Sequence, residues 1–287
     1  LILGGAQLAV GAAAIFARYA LAGAPPLAVA AARLCIAAAI LLIIAVLYRS
    51  ATQTPTRAQR NVLLLAGLAL AIHFATWIAS LEYTTVAIST LLVSVTPMWT
   101  ALYDTLARGR RYPLVVPLAF FTGIAGLAMI VSGHHTAPPH PGHAALGAAL
   151  ALVGSAAFAA YLLLVREVRA DLATRTIVTI TYTTAAVVLV IAAAAAREAP
   201  PGMHAYAAWG GIVAMALISQ LLGHTGMNAA LRWFSPSAVS FSTLLEPVFA
   251  AVLALLIFGE TLSALAVAGA CLLLASIGTV LWIAPDA

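Results

Sequence analysis

Ten stretches of about 20 mostly apolar residues follow one another along this chain, and each is long enough to cross a bilayer as a helix. They run roughly 2–21, 27–48, 61–80, 84–106, 113–132, 144–165, 174–196, 205–230, 236–258 and 262–283. Of the 287 residues 64% are hydrophobic and 7% charged, and the mean hydropathy is +1.09. A soluble domain carries about 25% charged residues, so this chain has too few to cover its apolar surface in water. Turn and breaker residues separate the runs, among them Pro25-Pro26, Gln53-Thr54-Pro55 and Pro200-Pro201-Gly202. In hydrocarbon every backbone polar group needs an internal partner, which leaves an all-helical bundle as the natural solution. The alternating ten-residue strands of an outer-membrane barrel are missing from the pattern. The expected fold is therefore an all-α integral membrane protein with no inserted soluble domain. The opening run lacks a charged start and a cleavage site, and reads as a membrane helix rather than a signal peptide.

All thirteen basic residues are Arg. The gaps after the second, fourth, sixth and eighth runs hold Arg49, Arg57, Arg60, Arg108, Arg110, Arg111, Arg166, Arg169, Arg175 and Arg232. The opposite gaps hold Arg197, with Arg18 at the end of the first helix. The positive-inside rule places both termini in the cytoplasm, which an even number of spans permits. Short clusters between apolar runs are a topology signal rather than a phosphate-tracking face, so no nucleic acid is expected as a partner. Cys35 and Cys271 lie within apolar runs and suggest neither a disulfide framework nor a metal site.

Polar residues at membrane depth are costly and need partners or water. The eighth run carries Gln220, His224 and Asn228 at helical spacing on one face, either as a cavity wall or as hydrogen-bonding glue between helices. Gly223 and Gly226 beside them permit close helix contact. Glu246, midway along the ninth run, precedes Pro247, which removes a backbone donor. Two roles stay open for Glu246: a proton-coupling group, or a structural acid at an opened turn. His73 and Trp77 share a face of the third run, and Trp99 and Tyr103 one of the fourth, with Thr96 on the same side. A cavity edged by His73, Trp77 and Trp99 suits a small amphipathic solute with an apolar side chain. In the first run Gln7, Gly11, Ala14 and Arg18 form a stripe of polar and small residues consistent with lining a path. Arg18 and Arg33 are expected to snorkel to an interface. The loop HHTAPPHPGH (134–143) holds His134, His135, His140 and His143, but no Cys, Asp or Glu completes a metal set. It is expected to be an external linker, and neither metal nor cofactor is expected.

The two halves echo each other. STLLVSVTPMWTALYDTLARG (89–109) resembles STLLEPVFAAVLALLIFGE (242–260) around Pro97 and Pro247, and a Gly follows twelve residues beyond each, at Gly109 and Gly259. Five helices per half is an odd number, so the second copy enters the membrane inverted, a transporter device. Residues 227–260, with Ser235-Pro236, Glu246-Pro247 and Gly259-Glu260, resemble the second repeat of the EamA type of the drug/metabolite transporter superfamily. LEYTTVAISTLLVSVTP (81–97), AIFARYAL (14–21) and AAARLCIAAAILLI (31–44) resemble its first repeat. The resemblance implies ten helices as two inverted five-helix repeats, 1–133 and 144–287, joined by the 134–143 linker. It also implies a monomeric carrier in the bacterial inner membrane that exports amino acids, aromatic ones included, or similar small metabolites. The chain departs from relatives in two ways: it has Arg110 where the second repeat has Glu260, and its first helix lacks the carboxylate of the small multidrug pumps.

The leading function is therefore a secondary transporter working by alternating access on a small-molecule substrate. A multidrug or metabolite proton antiporter is the alternative of the same class. An intramembrane enzyme would need a Gly-x-Ser-x-Gly elbow, a His-Glu-x-x-His motif or paired aspartates, and none is present in the sequence. A channel would show a filter or rings of one charge. The substrate-binding candidates are His73, Trp77, Trp99, Tyr103, Gln220, His224 and Asn228, and the coupling or structural candidates are Glu246, Pro247 and Gln7.

Overall fold

The computed structural model describes residues 2–47, 54–109, 111, 113–132, 143–230 and 245–283. The linker 134–143 apart from His143, the start of the ninth run, and Arg49, Arg110 and Arg232 lie outside them. Among the described residues every regular element is a helix. In chain order these are α1 (Ile2–Gly11), α2 (Ala13–Leu21), α3 (Pro26–Leu47), α4 (Arg57–Tyr83), α5 (Val86–Val93), α6 (Thr96–Arg108), α7 (Val115–Ser132), α8 (Ala144–Val168), α9 (Thr174–Ala195) and α10 (Tyr206–Ala214). A π-helix (Met215–His224), α11 (Thr225–Ala230), α12 (Leu245–Phe258) and α13 (Ala264–Ile283) follow. Six stretches are long and apolar enough to cross a membrane: Pro26–Leu47, Arg57–Tyr83, Val86–Arg108, Ala144–Val168, Thr174–Ala195 and Tyr206–Ala230. Val115–Ile130, Leu245–Phe258 and Ala264–Thr279 are shorter apolar helices.

Three of the expected continuous spans are interrupted. Pro97 has no N–H to give the Val93 carbonyl, so α5 stops; the Thr96 hydroxyl donates to that carbonyl instead, at 3.0 Å. The first run is interrupted at Ala12, between α1 and α2. The eighth run widens into ten residues of π-helix, in which the Gln220 carbonyl accepts from the Thr225 N–H and from its hydroxyl. By contrast, α4 starts with a full capping box, Thr56 and Gln59 each bonding the other's backbone N–H. Gly109 and Gly259 both take left-handed φ, 65° and 67°, each turning the chain just beyond α6 and α12.

The main packing partners are α4 with α8 and α9, α3 with α9, α7 with α13, α2 with α10, and α1 with the π-helix. Small residues and hydroxyls do much of this work, as expected where lipid is as apolar as the side chains. Ser219 donates to the Ala9 carbonyl at 2.8 Å, the Thr96 and Ser155 hydroxyls pair at 3.2 Å, and Ser276 donates to the Ala119 carbonyl. Where α7 crosses α13, Gly126 and Gly269 are so close that a Cβ on Gly126 would lie 2.7 Å from the Gly269 carbonyl oxygen.

Polar contacts sort the helix ends into two groups. At one end Gln59 donates to Asp171, Arg108 to Glu167 and Arg166 to Asp104, which gathers the start of α4 with the ends of α6 and α8. At the other end Glu198 accepts from the Leu27 and Ala28 N–H groups, joining the end of α9 to the start of α3. There too Glu260 accepts from Arg18 at 2.5 Å and from the Val86 N–H at 2.9 Å.

These contacts correct two expectations. Arg33 does not snorkel: it is fully buried and donates to Gln220 at 2.7 Å. Arg18 closes an ion pair with Glu260, a carboxylate expected only to mark a helix end. A guanidinium in hydrocarbon gains more from an internal acceptor than from a long reach to the interface.

Substituting Gly126 with Leu should lower the thermal midpoint of the detergent-solubilised protein, by about 1–3 kcal/mol of overpacking. Gly210→Ala, at a glycine with open space around its Cβ position, should leave it within about 0.5 kcal/mol. An unchanged midpoint in Gly126→Leu would contradict the close crossing.

Candidate functional site

The three backbone irregularities meet around one cavity of about 230 Å³. The α1–α2 break contributes Val10 and Ala13, and the α5–α6 break contributes Val93, Ser94, Thr96, Pro97 and Thr100. The π-helix and α11 supply His224, Met227 and Asn228, and α12 supplies Glu246. His73 and Trp77 of α4 and Phe158 of α8 close the wall. Irregular backbone at membrane depth is tolerated where it lines a cavity, because polar groups there can reach water or a solute.

Two histidines sit in an aromatic cluster. His73 Nδ1–H donates to the Gly154 carbonyl at 2.9 Å, a bond that an acceptor-only carbonyl permits in one tautomer. In neutral His73 this leaves Nε2 as the acceptor nitrogen. The His73 ring lies parallel to Trp77, 3° between planes at 6.2 Å, and packs on Phe158 at 4.8 Å. His224 meets Phe158 and Phe74 edge-on, each at 5.7 Å. Trp77 Nε1 has no hydrogen-bond partner among the described residues. Such a surface offers flat apolar contact with a few polar points.

The polar points lie toward the end of α8. Arg166 and Arg169 both line the cavity. Arg166 donates to Asp104 at 3.1 Å and is 34% exposed, so the lining reaches solvent at this end. Arg169 is half-buried and donates to the Asn228 backbone carbonyl at 2.9 Å. Burial lowers its pKa from the ordinary value, and the Tyr161 hydroxyl opposes that. The Asn228 amide donates to the His224 carbonyl at 2.9 Å. Glu246 is half-buried in the first turn of α12, and Pro247 beside it is buried without lining the cavity.

Of the residues singled out in the sequence, His73, Trp77, His224, Asn228 and Glu246 are brought to the cavity. Gln220 stands behind it, fully buried, with its carbonyl on Arg33. The Arg33 guanidinium takes the Gln220 side-chain carbonyl and so holds this amide away from the lining. Trp99 packs against a separate apolar cluster around Ile88, Leu92 and Met98, and Tyr103 is 44% exposed under Arg108. Gln7 is fully buried and donates to Met227 Sδ at 3.0 Å. None of Gln7, Gly11, Ala14 and Arg18 is in the lining: Gly11 lies against Phe249 of α12, and Arg18 pairs with Glu260 just beyond it.

Sequence reasoning missed Phe158, Arg166 and Arg169 as lining residues, and Asp104 and Glu260 as acids buried at the two ends of the bundle. Asp104, 2% exposed, had a signal in its position inside an apolar run. Among the described residues no three His, Cys, Asp or Glu side chains gather as a metal site.

The EamA-like transporter family matches two stretches, residues 1–132 and 145–282. Both stretches contribute lining residues. No curated protein sequence matches the chain. A solved structure titled only as the crystal structure of a protein has a TM-score of 0.67 at 16% identity, over 97% of this chain and 94% of that one, a likeness of fold. With both halves matched, the chain belongs to the EamA-like transporter family of membrane proteins.

Proposed function

We propose that this protein is a secondary carrier that exports small metabolites, amino acids first among them, across a bacterial inner membrane. In this reading ten spans form two inverted halves, 1–133 and 144–287, joined by an external linker at 134–143, and the chain acts as a monomer with both termini in the cytoplasm. The observation that carries it is a cavity lined by both halves, with Arg166 and Arg169 at one end of the lining, while Glu260 ties Arg18 to the Val86 N–H at the opposite helix ends. A cavity with one open end and one clamped end is what alternating access requires of a single resting state.

The Arg-rich end is then the cytoplasmic one, and the conformation faces inward. Solute enters between Arg166 and Glu246 and lies against Trp77, His73 and Phe158. Release to the outside requires the Arg18–Glu260 clamp to part while the inner end closes. The volume favours a small metabolite over a bulky drug, since about 230 Å³ falls below the ~300–1,000 Å³ usual for drug-sized ligands. His73 Nε2, His224 and Asn228 supply hydrogen bonds, and the aromatic wall accepts an apolar side chain. Glu246 borders the solute path, so a role in binding an ammonium group does not require proton antiport. Higher internal concentration is enough to drive outward flow.

Three outcomes check this. In a variant without Cys35 and Cys271, a cysteine at Met203, 88% exposed, should react with an impermeant maleimide added outside intact cells, and one at Arg57 should not. The reverse pattern would overturn the orientation. In liposomes Trp77→Ala should weaken counterflow of aromatic amino acids by about tenfold and of alanine by far less, from loss of a large aromatic contact. Equal effects on both would remove Trp77 from the solute site. Glu246→Gln should weaken counterflow of zwitterions without abolishing it and leave its pH profile unchanged. Accumulation driven by a pH gradient alone in the parent, abolished in Glu246→Gln, would establish proton coupling instead.

A further inference from the structure

Three guanidinium groups stand at or behind the cavity, and their partners differ. Arg166 is matched by Asp104, which also receives Arg108 at 3.5 Å. Arg169 lines the cavity and bonds only a backbone carbonyl, and it has no ion pair among the described residues. Arg33 is fully buried, its one hydrogen-bond acceptor is the neutral Gln220 amide, and its Nε and Nη1 find no partner among the described residues. Its guanidinium lies 4.1 Å from the centre of the Phe74 ring and 5.8 Å from that of Trp77, the residue that walls the cavity. Against Arg33 and Arg169 stands one carboxylate in the lining, Glu246. Guanidinium groups thus outnumber carboxylates in and behind the lining. A guanidinium withdrawn from water needs a counter-ion, and among the described residues none pairs with Arg33 or Arg169.

We infer that the transported solute supplies it: the cavity takes small molecules bearing a carboxylate, bound by Arg169, with Arg33 acting behind Trp77 as a fixed positive charge. Arg169 is suited to the direct contact because its guanidinium already lies at the lining and a carboxylate accepts from it by charge-assisted hydrogen bonds. Arg33 is a positioning and field residue, since the rings of Phe74 and Trp77 cover it. Glu246 meets the ammonium group of a zwitterion at the other pole, while a cation without a carboxylate leaves the two arginines uncompensated. The inference rests on the carrier reading and narrows it, because it sets the protein apart from pumps for cationic drugs.

The test uses equilibrium binding of three probes to the full-length detergent-solubilised protein: phenylalanine, 3-phenylpropionate and 2-phenylethylamine, with the same three in liposome counterflow. The carboxylates should bind about tenfold or more tightly than the amine, charge-assisted hydrogen bonds being roughly twice as strong as neutral ones. Arg169→Gln should shrink that preference below about twofold, and Arg169→Lys should retain most of it, as a point charge without the bidentate fork. Arg33→Gln should weaken the carboxylates selectively where it folds; Arg169, half-buried at the helix end, keeps the test decisive where it does not. Equal binding of amine and carboxylate by the parent, a preference untouched in Arg169→Gln, or binding of none of the three at millimolar concentration would overturn the inference. Carboxylate-selective binding with no counterflow overturns the carrier reading alone, and counterflow that ignores the carboxylate overturns this inference alone.

Discussion

The carboxylate of Glu260 joins three elements far apart in sequence. One oxygen takes the Arg18 guanidinium from α2, and the other takes the Val86 N–H at the start of α5. It completes the orphan donors of a helix start, where negative charge is favoured, and neutralises a cation that hydrocarbon would not accept alone. In lipid the apolar faces of helices have little reason to prefer each other over acyl chains, so contacts of this type decide which ends meet. Asp104 with Arg166 and Arg108 does the same at the opposite end. The cavity lies between these two sets of contacts and opens past Arg166 and Arg169.

Its lining comes largely from the interrupted helices. Pro97 ends α5, Ala12 separates α1 from α2, and the π-helix carries His224 in the lining with Gln220 behind it on Arg33. Each interruption would be costly in lipid and is sheltered here by the cavity or by a side-chain substitute such as the Thr96 hydroxyl. Regular helices, α3, α9, α7 and α13 among them, form the frame, held by small-residue crossings such as Gly126 on Gly269. In the proposed cycle the frame stays intact and the interrupted helices, with the clamp they hold, are the parts that move.

Much of this was legible in the sequence, because apolar length and Arg placement are one-dimensional signals. The runs, the gaps and the matching Pro97–Gly109 and Pro247–Gly259 spacings follow from them, and both glycines take left-handed φ. His73, Trp77, His224, Asn228 and Glu246 stood out as polar or aromatic groups at membrane depth and do meet at the cavity. What failed was anything that needed an azimuth or a partner. Gln220 was placed by helical spacing alone, whereas its bond to Arg33 holds it behind the cavity. Thr96 and Thr100 are the residues of α6 that line the cavity, while Trp99 packs on the Ile88, Leu92 and Met98 cluster and Tyr103 is exposed further along the helix. Arg33 was sent to an interface because its acceptor, Gln220, lies 187 positions away in the chain.

The most direct test of the account is to lock the clamp. Arg18 and Glu260 replaced by cysteines, with the native cysteines removed, and joined by a short cleavable bis-maleimide, should give a carrier without counterflow. Its cavity should still label at a third cysteine, at Leu163, from the cytoplasmic side, and cleaving the linker should restore counterflow. Full counterflow in the cross-linked protein would mean that this end never opens, and the proposed alternation would be wrong.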